Sequence, residues 1–112
     1  MILLFSRGDI VYLYLFELNS IIDKIKKINH HRFGKIKEIT KVEASGTTYY
    51  EYKVELVDGY TVVIKEYAGA FKICNITELQ TTILESSELI DTEKDILIEQ
   101  VKESLELIKA KY

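Results

Sequence analysis

Residues 24–37 read KIKKINHHRFGKIK and hold the densest set of side chains that could do chemistry. Seven basic residues fall between Lys24 and Lys41 against one acid, Glu38. Lys24, Lys26, Lys27, His30, His31, Arg32, Lys35 and Lys37 together would suit a phosphate backbone. Phe33, Tyr49 and Tyr67 would add stacking faces for unpaired bases. The plainer reading makes Lys24, Lys26 and Lys27 the solvated face and C-terminal charge of a helix. His30-His31-Arg32 also invites a small nuclease or toxin-like enzyme, because histidine exchanges protons near neutral pH. Such catalysis needs a second group, Tyr49, Tyr67 or Glu66, and no spacing supplies it. No catalytic residue is therefore assigned.

Other chemistry is poorly supplied. One cysteine, Cys74, and two adjacent histidines fall short of the ligand set zinc needs, so no metal site is expected. No glycine-rich phosphate loop occurs, and no cofactor is expected. Cys74 reads as a small filler, since no base stands at a diagnostic spacing from it. Arg7-Gly8-Asp9 and Asn75-Ile76-Thr77 spell an integrin-type tripeptide and a glycosylation sequon, which matter only in a secreted chain.

Eight tyrosines in 112 residues leave one further chemical signal. Most lie in residues 48–67, TYYEYKVELVDGYTVVIKEY, whose two arms alternate apolar and polar residues around Asp58-Gly59. A two-residue loop would point the apolar sets of the arms to opposite faces. A three-residue loop, Val57-Asp58-Gly59, pairs Leu56 with Tyr60, Val54 with Val62 and Tyr52 with Ile64, all on one face. It also puts Gly59 at a left-handed position. This register sets Glu51 opposite Lys65 and Tyr49 opposite Tyr67 on the other face. Tyr50, Tyr52 and Tyr60 then belong to the core, and Tyr49 and Tyr67 are left for a partner.

These groups must be positioned by a mixed set of elements. Leu18, Ile21, Ile22, Ile25 and Ile28 recur at helical spacing and predict an N-terminal helix over about 16–29, starting as early as Asp9 if Asp9 caps it. The run Ile10–Phe16 suits strand or helix equally. Strands are expected over 35–44, 47–57, 60–67 and 70–74, joined by Ser45-Gly46, the three-residue loop and Ala68-Gly69, as a four-stranded antiparallel meander. The N-terminal segment is a candidate fifth strand. Asn75 and Glu78 have capping-box logic for a helix carrying Ile76, Leu79, Ile83 and Ile90. Thr92 and Asp95 open a last helix, with Leu97, Val101, Leu105, Ile108 and Tyr112 on one stripe. Ile96, Ile98 and Leu107 lie off that stripe and could serve a second copy.

Bulk composition sets the outer limits. A length of 112 residues suggests one α+β domain, residues 1–112, with a helix or helix pair packed on one sheet face. Hydrophobic residues are 47% and charged residues 29%, which argues against disorder. Sixteen Ile and thirteen Lys against two Arg suit an AT-rich genome, a thermophile or one of its viruses. The apolar start contains no uncharged run near the ~18 residues of a membrane span and lacks the pattern of a signal peptide. A cytoplasmic setting is expected, or a host-cell interior if the source is viral. Charge is uneven: +3 over residues 1–43, −1 over 44–75 and −5 over 76–112. A net charge of −3 means that phosphate binding would need a local patch.

The order helix, four-strand meander, helix resembles the arrangement of small single-stranded DNA-binding proteins. It shares no motif residues with them, so it implies no site. The first expectation is a non-catalytic interaction protein, homodimeric, with Tyr49, Tyr67, Ile98, Val101, Leu105 and Ile108 at its interface. The second is a single-stranded DNA- or RNA-binding module built on residues 24–37. The third is a small enzyme around His30 and His31.

Overall fold

The computed structural model describes residues 4–66 and 69–111. It is α+β, with strands β1 (Ile10–Leu15), β2 (Phe33–Ala44), β3 (Thr47–Leu56), β4 (Thr61–Lys65) and β5 (Phe71–Asn75). Helix α1 (Leu18–Ile25) joins β1 to β2, and α2 (Ile76–Glu85) and α3 (Asp91–Lys111) follow β5. All strand pairs are antiparallel, in the order β4-β3-β2-β1-β5.

The N-terminal segment corrects the expected helix over 16–29. Residues 10–15 form a strand because both of its faces are buried. Val11 and Leu13 face one apolar cluster and Tyr12 faces the other, so the run shows no period-two signature. Asp9 caps no helix; its carboxylate and amide close a turn with Ser6. The helix that follows is only eight residues long and ends at Lys26, which takes the left-handed conformation (φ 53°). Ile28 keeps its helical spacing in sequence but reaches the core from a loop.

The sheet also departs from a simple meander. β1, β2, β3 and β4 are consecutive neighbours, but β5 crosses to the far side and pairs with β1, from Val11↔Asn75 to Leu15↔Phe71. The most apolar strand is thereby enclosed between two others, and the two edge positions fall to β4 and β5. The hairpin around Val57-Asp58-Gly59 keeps its expected register. Tyr52↔Ile64, Val54↔Val62 and Glu51↔Lys65 pair, Leu56 N–H donates to Tyr60 O at 2.7 Å, and Gly59 has φ 95°. Ser45 and Gly46 both have positive φ and turn β2 into β3. Tyr52 is buried as expected and Tyr50 packs against the core. Tyr60 does not: it is 73% exposed, because it lies at the hairpin end just before edge strand β4, with no strand beyond that edge among the described residues.

Two cores result, one on each face. Tyr12, Phe33 and Cys74 pack under Leu18, Ile22, Leu79, Ile83, Leu97, Val101 and Ile108 of the helices. On the other face Val11, Leu13, Ile36, Tyr52, Val54, Leu56 and Ile64 pack together inside the curl of the sheet. The curl needs close strand approach at Gly34, where a Cβ would lie 2.5 Å from Val54 Cγ1 and 2.8 Å from Glu55 O. β2 carries a bulge at Lys37. Past Glu51↔Lys65, Glu66 still exchanges hydrogen bonds with Tyr50, and the ladder of β2 with β3 runs on to Ala44↔Thr47. The radius of gyration, 14.7 Å, exceeds the ~13 Å of a compact chain of this length.

Candidate interaction surface

The segment that holds the basic cluster, residues 26–32, is strapped along α3. Lys26 Nζ pairs with Glu93 at 3.2 Å. Ile28 N–H donates to Gln100 Oε1 at 2.9 Å, and Asn29 N–H reaches Tyr12 Oη at 3.4 Å. His30 Nδ1 hydrogen-bonds Ser104 Oγ. The chain then makes a 3-10 turn, His30–Arg32, capped by Asn29 Oδ1 on His31 N–H at 3.0 Å. The Ile28 and Asn29 amides, which lie beyond the end of α1, thereby find side-chain acceptors. Glu93 also accepts from Ile90 N–H at 3.1 Å, in the reciprocal half of a capping box, so α3 opens at Asp91 rather than at Thr92. Its carboxyl is held below the usual range first by that N–H and then by the Lys26 ammonium.

The strapping decides what His30 can do. Ser104 Oγ donates to Gln100 O at 2.9 Å, so toward His30 it accepts, with Nδ1 as the donor. Ser104 is only 1% exposed, so no substrate carbonyl can reach it. A His–Ser pair exists, but its hydroxyl is spent within the helix. Among the described residues, no group of three His, Cys, Asp or Glu could hold a metal ion. Cys74 is buried, and burial pushes its thiol up to about 12, which leaves it inert.

The other expected site residues are dispersed. Lys24, Lys27 and His31 are exposed. Arg32 lies over the Phe71 ring, 4.8 Å from its centroid. Lys35 is half-buried opposite Glu55, and Lys37 pairs with Glu55 at 3.4 Å on the outward sheet face. On the same face Lys53 meets Glu38 at 3.9 Å, so positive and negative charges alternate there. Tyr49 is half-buried on β3 opposite Val42. Tyr67, and with it the expected Tyr49–Tyr67 pair, lies outside the described residues, as does Tyr112. Val101 and Ile108 are fully buried beneath α3 and offer no surface, while Ile98 and Leu105 pack at the core's margin. They are buried because the stripe at steps of four, four and three is the helix's core face.

What the surface offers instead lies on one flank of α3. Two open clefts, of about 380 and 520 Å3, flank His30. The first is lined by Ile25, Lys27, Ile28, Asn29, His30 and His31, the second by His30, Glu103, Glu106, Leu107 and Ala110. Ile25, Ile96 and Leu107 are 59%, 52% and 51% exposed. Ile96 and Leu107 are eleven residues apart, three helical turns, and so share a flank. The sequence sets Ile96 and Leu107 off the core stripe but does not single out Gln100 and Ser104; their steps of four, four and three from Ile96 to Leu107 are the signal that could have found them.

Comparison with protein-family models, curated proteins and solved structures returned no match. Among the described residues, no helix is long and apolar enough to cross a membrane.

Proposed function

We propose that this protein is a non-catalytic interaction protein that pairs with a second copy of itself through the α3 flank beside His30. The observation that carries the reading is the layout of that flank. Exposed Ile25 and Leu107 stand on either side of the imidazole, with basic Lys27 and His31 on one side and acidic Glu103 and Glu106 on the other. A two-fold axis near His30 sets the basic side of each copy against the acidic side of its partner and buries both apolar groups. Self-association is favoured over nucleic-acid binding because Lys26 and Lys37 are spent in ion pairs and Arg32 on Phe71. Acidic α3 also lies directly against the basic loop, where it would repel phosphate.

Sedimentation equilibrium tests this at tens of micromolar. The expected mass is twice the 13.0 kDa of one chain. Leu107→Glu should return a single-chain mass with an unchanged circular dichroism spectrum, since an exposed helical position costs within about 0.5 kcal/mol of fold stability. A wild-type monomer at that concentration would end the proposal. A salt titration of labelled single-stranded oligonucleotide tests the alternative, because phosphate contacts are strongest at low salt.

A further inference from the structure

The sheet does not close. β4 and β5 are its two ends, and among the described residues the outer edge of each lacks a strand partner. The two strands nevertheless approach one another, joined by the connection over 66–70. A cleft of about 190 Å3 lies in the seam between them, lined by Ile64 and Lys65 of β4 and by Phe71, Lys72 and Ile73 of β5. Its apolar floor includes Phe5 and Tyr52, which meet edge to face at 5.3 Å.

Three properties define what fits. The volume is below that of sites for drug-sized ligands, roughly 300 Å3 and upward, but it matches about six water molecules, the room of one large side chain. Among the described residues no strand pairs with the outer edge of β4 or β5, and such edges call for another extended backbone. The rim is basic: Lys65 and Lys72 line the cleft, and the Arg32 guanidinium lies over Phe71. None of the three forms an ion pair among the described residues. The acid at the rim, Glu66, already accepts from Tyr50 N–H at 3.0 Å. Glu51 faces Lys65 across the ladder, on the outward side.

We infer that the β4–β5 seam binds an extended acidic peptide segment of a partner protein, which adds as a strand to the open edge and seats one large apolar side chain in the cleft. Alternation along an added strand points every second residue toward the cleft and the residues between toward the basic rim. The partner segment should therefore alternate acidic and apolar residues around a bulky anchor. This surface is separate from the α3 flank, and binding here does not depend on pairing there.

Fluorescence anisotropy with a labelled nonapeptide that alternates Val and Glu around a central Phe tests the inference. Saturable binding is expected, at least tenfold tighter than for the same peptide with Lys in place of Glu. The double variant Lys65→Glu, Lys72→Glu should reverse that preference while keeping its melting temperature. A peptide N-methylated at alternate amides should lose binding at least tenfold, because it cannot complete a ladder. Leu107→Glu should bind the Glu peptide as wild type does. The inference is overturned by no binding of the Glu peptide, by equal binding of the Glu and Lys peptides, or by indifference to N-methylation.

Discussion

Gly34→Ala should destabilise the protein while leaving its fold recognisable. Gly34 is buried where β2 lies between β1 and β3, paired with Val11 on one side and Leu56 on the other. A Cβ there would lie 2.5 Å from Val54 Cγ1 and 2.8 Å from Glu55 O. Val54 is fully buried and cannot swing clear, and the Glu55 carbonyl belongs to the β2–β3 ladder. Strands must part by several tenths of an ångström, an overpacking of about 1–3 kcal/mol. At roughly 4–6 °C per kcal/mol for a chain of this size, the melting temperature should fall by about 5–15 °C. Thermal unfolding followed by circular dichroism reads the loss, at one protein concentration because association would itself raise the midpoint. In urea the midpoint should fall with the slope unchanged. The same substitution in a Val54→Ala background should cost less, since one of the two clashing groups is gone. A melting temperature within about 2 °C of wild type would refute the close approach and the β1-β2-β3 packing that rests on it.

Other expected outcomes follow from single contacts. Asn75→Ala removes the cap that accepts from Glu78 N–H at 2.8 Å and should cost about 1 kcal/mol in urea denaturation; Asn75→Gly should cost only a few tenths. Cys74 should resist iodoacetamide at pH 8 until denaturant exposes it, because burial pushes its thiol up to about 12. The unfolded chain releases that proton near the ordinary thiol value of 9.0 and the native chain only near 12. Stability should therefore be full below pH 9 and decline by up to ~1.4 kcal/mol per pH unit between the two. Burial raises Tyr12, Tyr14 and Tyr52 in the same sense, so a Cys74→Ala variant should lose only the part of the decline that begins below pH 10.

The parts of the fold that were legible in the sequence are those specified locally. Asp58-Gly59 and the one-sided alternation around it determine a hairpin register, because a slip of one residue would invert every side chain. Asn75 marks a helix start just as locally, because its Oδ1 accepts from Glu78 N–H. Residues 10–15 were not legible because burial on both faces erases periodicity. The crossing of β5 to pair with β1 was not legible either, since an open edge beside the most apolar strand is a property of the whole sheet. Of the candidate surface, the apolar excess on α3 could be read, but Val101 and Ile108 could not be told from Leu107 until the core face was known. The straps from Lys26 to Glu93, Ile28 to Gln100 and His30 to Ser104 span 67, 72 and 74 positions, beyond any local pattern.

A charge-swap experiment addresses the two-fold pairing most directly. One variant carries Glu103→Lys and Glu106→Lys; the other carries Lys27→Glu and His31→Glu. In a two-fold pair each alone sets like charges against like at both symmetric contacts, whereas the mixture restores opposite charges at both. Native mass spectrometry at tens of micromolar should find each variant monomeric and the equimolar mixture a one-to-one heterodimer. Dimers of either variant alone, or a mixture that stays monomeric, would contradict the pairing of this protein through the α3 flank.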